Sequence, residues 1–278
     1  MNPTEVPAEE RREKAVRLAC GVLLANEVKR LPPDPFLLAE QMGFMLTPMT
    51  AALRMREDSP EYEVRTTGEE AFTLCRDGKY FIAYDETVAS PERIRFSIFH
   101  EFGHILMDHF RFWDVEKLPM DARRVLEDEA STFARNFLCP PPILDWVRGD
   151  WRDPRWAKLF CLSERAWKAR VRTMPVDRRC IDQKTADDLR ALFGEYMFGR
   201  RCRECGKVFT DPERRNRCPA CGCRYLLWNP RMESREDALK RRHFAGAGAE
   251  DLQPRVGEER DPDLTEYWKR LRAEKFRG

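Results

Sequence analysis

No hydrophobic run in this 278-residue chain reaches membrane-spanning length. The longest apolar stretches, such as LACGVLLA at 18–25, fall far short of the ~18–20 residues that a crossing helix needs. The first residues, MNPTEVPAEERREK, hold no apolar core of a secretory leader, so a cytoplasmic location and no membrane contact are expected. Internal repeats are absent, and the composition excludes collagen-like and coiled-coil classes. Disulfide spacing is absent as well. Of ten cysteines, five crowd between 202 and 223, while Cys20, Cys75, Cys139, Cys161 and Cys180 are scattered, a pattern of metal binding in a reducing compartment. Histidine is scarce, with four residues in all. What is plentiful is apolar and aromatic material, 42% and 11%, too much for a disordered chain and enough for one sizeable core plus a small module.

Charge is unevenly spread. Residues 1–146 carry 18 Lys and Arg against 26 Asp and Glu, whereas residues 147–243 carry 25 against 14. An acidic front and a basic rear point to modules with different tasks, and the basic 147–243 block is either a contact for DNA or a solubilising surface.

Apolar spacing predicts a helix over 8–30, broken by LPPDP at 31–35, then a short helix FLLAEQMG ending at Gly43 and a strand over 44–49. AFTLCR (71–76) and KYFIAY (79–84) flank Asp77-Gly78, which suits a type I′ hairpin because both loop positions need positive φ. Ser90 as N-cap and Pro91 at the first helical position open a helix expected to run to about 111. A further helix is expected over about 121–138, two shorter helical pieces over 142–175 with a break at Leu162-Ser163, and another helix over 183–199. Residues 244–262 have linker composition, and a charged helix is expected over 263–275. The fold class expected is α+β: a mostly helical first domain (1–145) with a small antiparallel sheet. A helical extension with some likeness to a helix-turn-helix (146–199), a four-cysteine module (200–226) and a linker with a charged helix (227–278) follow.

Three of the four histidines, His100, His104 and His109, fall within ten residues. His100 and His104 stand at i and i+4, one above the other on one helix face, where two imidazoles can share a zinc ion. Glu101 completes HEFGH, the H-E-x-x-H pattern, and is placed to accept a proton from water that the metal acidifies. Gly103 costs a helix about 1 kcal/mol relative to alanine, tolerable where another backbone must approach closely. His109 lies about 140° round the helix from His104, out of reach of the same metal, which leaves it a solvated or supporting role. The third ligand is sought among Glu127, Asp128 and Glu129 on the next helix. Helical geometry puts Glu127 in the middle of the inward face with Ala130, Ser131 and Ala134 around it, Asp128 about 100° away and Glu129 about 200° away, on the solvent side. Glu127 then gives a site of two histidines and one glutamate with an open position, the arrangement of catalytic zinc.

The runs RIRFSIFHEFGHILMDH, EDEASTFARNFLCP and PPDPFLLAEQMGF together resemble the ImmA/IrrE family of zinc metallopeptidases over roughly residues 15–141. The resemblance implies that residues 1–145 form a zincin-like metallopeptidase domain, with His100, His104 and Glu127 as zinc ligands, Glu101 as general base, and a protein substrate, a helix-turn-helix repressor. Two positions depart from the family pattern. Ser131 stands where Asn or Asp is usual, and Cys139 where Met is common. Tyr80 and Tyr84, on the strand beside the cleft, are read as core residues.

CRECG (202–206) and CPACG (218–222) set C-x2-C, twelve residues, C-x2-C. Four thiolates from Cys202, Cys205, Cys218 and Cys221 close a tetrahedral structural zinc site, with Cys223 spare, and the 200–226 module resembles a zinc ribbon. A module of this size buries too little core to fold without the metal. The reading is a zinc-dependent endopeptidase with one catalytic and one structural zinc. The competing readings are a metal-sensing DNA-binding regulator without catalysis, which would not need Glu101, and a toxin–antitoxin or phage-defence component.

Overall fold

The computed structural model describes residues 3–145 apart from 67 and 69, and 154–228 apart from 212–214 and 216. The linker and charged helix expected over 244–275 lie outside the described residues. The first helix, α1 (Ala8–Ala25), buries Ala15, Val16, Ala19, Cys20, Val22 and Leu23 along one stripe. It ends five residues before the expected boundary, at Asn26, and Glu27 follows with φ 47°. Helix α2 (Pro35–Met42) starts on the Asp34 carboxylate, which accepts from the N–H groups of Phe36 and Leu37, and stops at Gly43 with φ 73°.

Strand β1 (Met45–Pro48) leads directly into α3 (Met49–Asp58), a helix that the sequence reading does not anticipate. Strands β2 (Glu63–Val64), β3 (Ala71–Arg76) and β4 (Lys79–Tyr84) complete a sheet of order β1-β4-β3-β2. The hairpin β3–β4 turns through Asp77 (φ 51°) and Gly78 (φ 74°), as the Asp-Gly pair predicts. The sheet is mixed rather than antiparallel, because β1 pairs with β4 in parallel register, Met45 opposite Phe81. The chain from β1 must pass through α3, β2 and β3 before it reaches β4, a crossover long enough to permit parallel pairing. Both faces of the sheet are covered. Phe72, Leu74, Phe81 and Ala83 pack with Ala52 of α3, while Ile82 and Tyr84 face the main core. Double coverage explains why AFTLCR and KYFIAY read as continuous apolar runs without alternation.

Helices α4 (Pro91–Leu106) and α6 (Met120–Leu138) form the centre, with α1 against the second side of α6. A short helix α5 (His109–Phe112) lies between them, and α7 (Pro141–Leu144), α8 (Pro154–Leu159), α9 (Glu164–Arg179) and α10 (Gln183–Phe198) follow. The break before α9 falls where expected: Cys161 has φ 51° and Ser163 caps α9 by accepting from Ala166 N–H. Trp167, Met174, Leu189 and Phe193 belong to the same hydrophobic core as Ala15, Phe99 and Phe133. A second sheet, β5 (Gly199–Cys202), β6 (Val208–Thr210) and β7 (Leu226–Trp228), ordered β6-β5-β7, begins immediately after α10. The architecture is therefore α+β, mostly helical. No helix among the described residues is long and apolar enough to cross a membrane.

Asp177 of α9 ties that helix to the end of α6. Its carboxylate accepts from Arg135 Nε and Nη2 at 3.0 and 3.1 Å, from Arg170 Nη1 at 2.6 Å and from Asn136 Nδ2 at 3.0 Å. Arg170 also donates to the Cys139 carbonyl at 2.9 Å and to Asn136 Oδ1 at 2.8 Å. Burial alone would raise the Asp177 pKa, but the bond from Arg135 and the charge of Arg170 outweigh it and hold the carboxyl below its ordinary value.

Asp177→Ala, which leaves Arg170 buried without its counter-charge, is expected to cost about 3–5 kcal/mol in urea unfolding. Asp177→Asn tests the charge alone. A depressed folded-state pKa gives stability that is present above the unfolded-state pKa and lost as pH falls through the folded value, so wild type and Asp177→Asn should converge in stability on acidification. A gap that stays constant down to low pH would refute the ionic role.

Candidate active site

Helix α4 begins where the sequence places it. Ser90 Oγ accepts from Arg93 N–H at 3.4 Å, and Pro91 occupies the first helical position. The helix then sets His100 and His104 one turn apart, with their Nε2 atoms 3.1 Å from each other. Gly103 lies between them on the side facing α6. A Cβ at this position would stand 3.0 Å from both Cα and O of Ala130 and 3.3 Å from Phe133 Cβ, so a glycine is what permits the two helices to come this close. At that separation Glu127 reaches both imidazoles, with Oε2 3.0 Å from His100 Nε2 and Oε1 3.6 Å from His104 Nε2.

The donor atoms of His100, His104 and Glu127 all lie within 4.8 Å of one another. Zinc–nitrogen bonds of about 2.0–2.1 Å in a tetrahedron put neighbouring ligand atoms about 3.3 Å apart. The separations between His100, His104 and Glu127 straddle that value, and the donor set, two imidazoles and a carboxylate, is compatible with zinc. The far nitrogen of each ring is already engaged: His100 Nδ1 lies 3.2 Å from Ser131 Oγ, and His104 Nδ1 lies 3.0 Å from His109 Nδ1. Ser131, although shorter than the side chain usual at that position, thus reaches the ring. Burial holds the His104 pKa below its ordinary value, which favours the neutral, ligating imidazole. Burial pushes the Glu127 carboxyl up, yet the hydrogen bond from His100, with the His104 imidazole close by, prevails and holds it well below the carboxylate range.

Glu101 is only 3% exposed. A buried carboxylate needs donors, and two threonines supply them: Thr66 Oγ1 and Thr73 Oγ1 each donate to Glu101 Oε2 at 2.6 Å. Thr73 in turn donates its N–H to Thr66 Oγ1 at 2.8 Å, which fixes the second hydroxyl. Sequence reasoning missed both threonines. Thr73 is the polar residue inside AFTLCR, on the strand face opposite Phe72 and Leu74, and this is the signal that was available. A cleft of about 410 Å³ opens over His100, Glu101 and Glu127, with Phe96, Glu70 and Arg123 on its walls.

Two expectations are corrected. Helix α4 ends at Leu106 rather than near 111, because Asp108 takes a left-handed conformation (φ 61°) and restarts the chain as α5. His109 therefore folds back, 1% exposed, against His104 instead of lying about 140° away on a continuous helix. Glu129 is not on the solvent side either. It is largely buried, 2.9 Å from His109 Nε2 and 3.8 Å from Arg11 Nε of α1, because α6 is covered by α1 as well as by α4. Asp128 alone of the three acids is exposed. Tyr80 and Tyr84 pack on Phe110 and Phe36, and Cys139 is fully buried with its thiol pushed up to about 12 by burial.

The second cluster is local. Sγ atoms of Cys202, Cys205, Cys218 and Cys221 lie within 4.8 Å of one another, with 3.6 Å between Cys202 and Cys221 and 3.6 Å between Cys205 and Cys218. Zinc–sulfur bonds of about 2.3 Å imply separations of about 3.8 Å, so these four thiols also fit the ion. Gly206 and Gly222, at φ 69° and 72°, make the two tight turns, donating their N–H groups to the carbonyls of Cys202 and Cys218. Cys223 stands outside the cluster, and its sulfur accepts from Tyr225 N–H at 3.2 Å.

Residues 57–172 match the family model Peptidase_M78, the IrrE N-terminal-like domain. The matched segment contains His100, Glu101, His104 and Glu127, and α1 and the cysteine module lie outside it. No curated protein and no solved structure matches the chain.

Gly103→Ala gains about 1 kcal/mol of helix propensity but overpacks the contact with the α6 backbone, a cost of about 1–3 kcal/mol. The net effect expected is a loss of stability, larger for Gly103→Val, together with weaker zinc binding at His100, His104 and Glu127. Urea unfolding and zinc titration check it. A stabilised Gly103→Ala with unchanged zinc affinity would show that the close approach is not required.

Proposed function

We propose that this chain is a zinc-dependent endopeptidase. The observation that supports the reading is the convergence of His100, His104 and Glu127 beside the buried carboxylate of Glu101 at the floor of an open cleft. A zinc ion held by those three side chains would acidify water and polarise a substrate carbonyl. Glu101 is the proton carrier. Both threonine hydroxyls bind its Oε2, so Oε1 is the oxygen assigned to take a proton from the attacking water and to deliver it to the departing amine. Thr66 and Thr73 keep the carboxylate from rotating out of the cleft, and Phe96 and Arg123 offer the substrate an apolar and a cationic wall.

The substrate class is a protein, and the resemblance to regulatory peptidases favours a helix-turn-helix repressor. The cysteine module, holding the structural zinc, carries exposed Arg201, Arg203, Lys207, Arg217 and Arg224, which suit contact with DNA or with a partner bound to it. A regulator without catalysis is the weaker reading, since metal binding alone gives no reason to bury Glu101 on two hydroxyl donors.

Glu101→Gln is expected to keep both zinc equivalents and the fold but to lower peptide hydrolysis by about 10²–10⁴-fold. Labelling of new N-termini in a cell extract treated with the zinc-loaded full chain provides the readout. Cleavage that persists in Glu101→Gln would exclude the assignment. Metal analysis should give two equivalents in wild type, one in His100→Ala and one in Cys202→Ser/Cys205→Ser.

A further inference from the structure

His109 and Glu129 have no part in the site as described so far, yet they lie in a continuous hydrogen-bonded line with it. Glu129 Oε2 is 2.9 Å from His109 Nε2, and His109 Nδ1 is 3.0 Å from His104 Nδ1. Both imidazoles are buried, and Phe110 stacks on the His104 ring at 5.8 Å and 14°. Arg11 of α1 stands 3.8 Å from the other Glu129 oxygen.

Two facing ring nitrogens cannot both donate or both accept, so the protons in this line have a direction. A carboxylate only accepts. With Glu129 at one end, His109 must carry its proton on Nε2 and present a bare Nδ1. His104 must then carry its proton on Nδ1 and donate it, which leaves the lone pair on His104 Nε2, the atom that faces His100 Nε2 at 3.1 Å and stands 3.6 Å from Glu127 Oε1, too far for a hydrogen bond. We infer that Glu129 and His109 form a relay that fixes His104 in its metal-ligating tautomer and ring orientation. They are positioning residues, acting through His104 and touching neither substrate nor metal. The inference rests on the reading that His100, His104 and Glu127 hold the ion. The two ligands are thus supported unequally. His100 has one neutral hydroxyl, Ser131 Oγ at 3.2 Å, while His104 has a second imidazole and a buried carboxylate behind it. Outer partners of this kind are worth about 10–100-fold in metal affinity.

The experiment uses the full chain in three forms: wild type, the isosteric Glu129→Gln, and Asp128→Asn, which alters the exposed neighbouring acid. In metal-free wild type at neutral pH, long-range ¹H–¹⁵N spectra should show His104 protonated at Nδ1 and His109 at Nε2. In Glu129→Gln, whose amide can present either a donor or an acceptor, that single pattern should be lost. Zinc competition should show the His-site affinity falling about 10–100-fold in Glu129→Gln and unchanged in Asp128→Asn, with the cysteine-site equivalent retained throughout. His109→Gln should match Glu129→Gln. Wild-type His104 protonated at Nε2, or the same tautomers and zinc affinity in Glu129→Gln, would overturn the relay. Failure of the metal reading looks different: wild type and His100→Ala would hold the same number of zinc equivalents, and the tautomer spectra would still decide the relay.

Discussion

The distance between α4 and α6 governs this molecule. An i, i+4 histidine pair is common on helices and has no chemical consequence until a third donor arrives from elsewhere. Here the donor is on α6, and it arrives because Gly103 and Ala130 leave the two backbones almost nothing to keep them apart. The same approach brings Ser131 to His100. It also lets Phe99, one turn before Gly103, pack on Phe137, which stacks on Phe133 in the core. Packing and chemistry are therefore one constraint. The helix spacing that fills the core is also the spacing that assembles the donors.

Around this contact the protein handles buried charge by one device, repeated. Each of these carboxylates taken out of water has donors of its own: Glu101 has two threonine hydroxyls, Glu129 has His109 with Arg11 nearby, and Asp177 has two arginines and an asparagine. An unpartnered buried carboxylate would be neutral or destabilising. The partners come from β3 and the connection before it, and from α1, α5, α6 and α9, so the acids of α4, α6 and α9 report how the surrounding elements are arranged.

What could be read from the sequence was what neighbouring residues decide. The Asp77-Gly78 turn, the Ser90-Pro91 helix start, the His100/His104 pair and the two C-x2-C turns each depend on a few consecutive residues, and each stands where it was expected. Glu127 followed from helix periodicity alone, since α6 is a regular helix. The failures share another cause. His109 was misplaced by a single left-handed residue, Asp108, which no periodicity reveals. Glu129 was misplaced because the angular argument allows a helix one buried side, and α6 has two. Thr66 and Thr73 meet Glu101 only through tertiary contact, and the parallel pairing of β1 with β4 depends on a helix, α3, that shows no strong apolar stripe in sequence.

The junction of α10 with β5 contains no spacer. Phe198 ends the helix, Gly199 begins the strand, and Asp211 beside β6 returns its N–H to the Phe198 carbonyl at 2.9 Å. Phe193, Met197 and Phe198 at the end of that helix are anchored in the core. A module on a flexible tether samples a sphere whose radius grows with tether length, and its effective concentration at any target falls accordingly. A tether of zero length has no such sphere. Anything bound to the cysteine module would be offered to the rest of the molecule at one bearing, like a tool clamped to its bench rather than held on a cord.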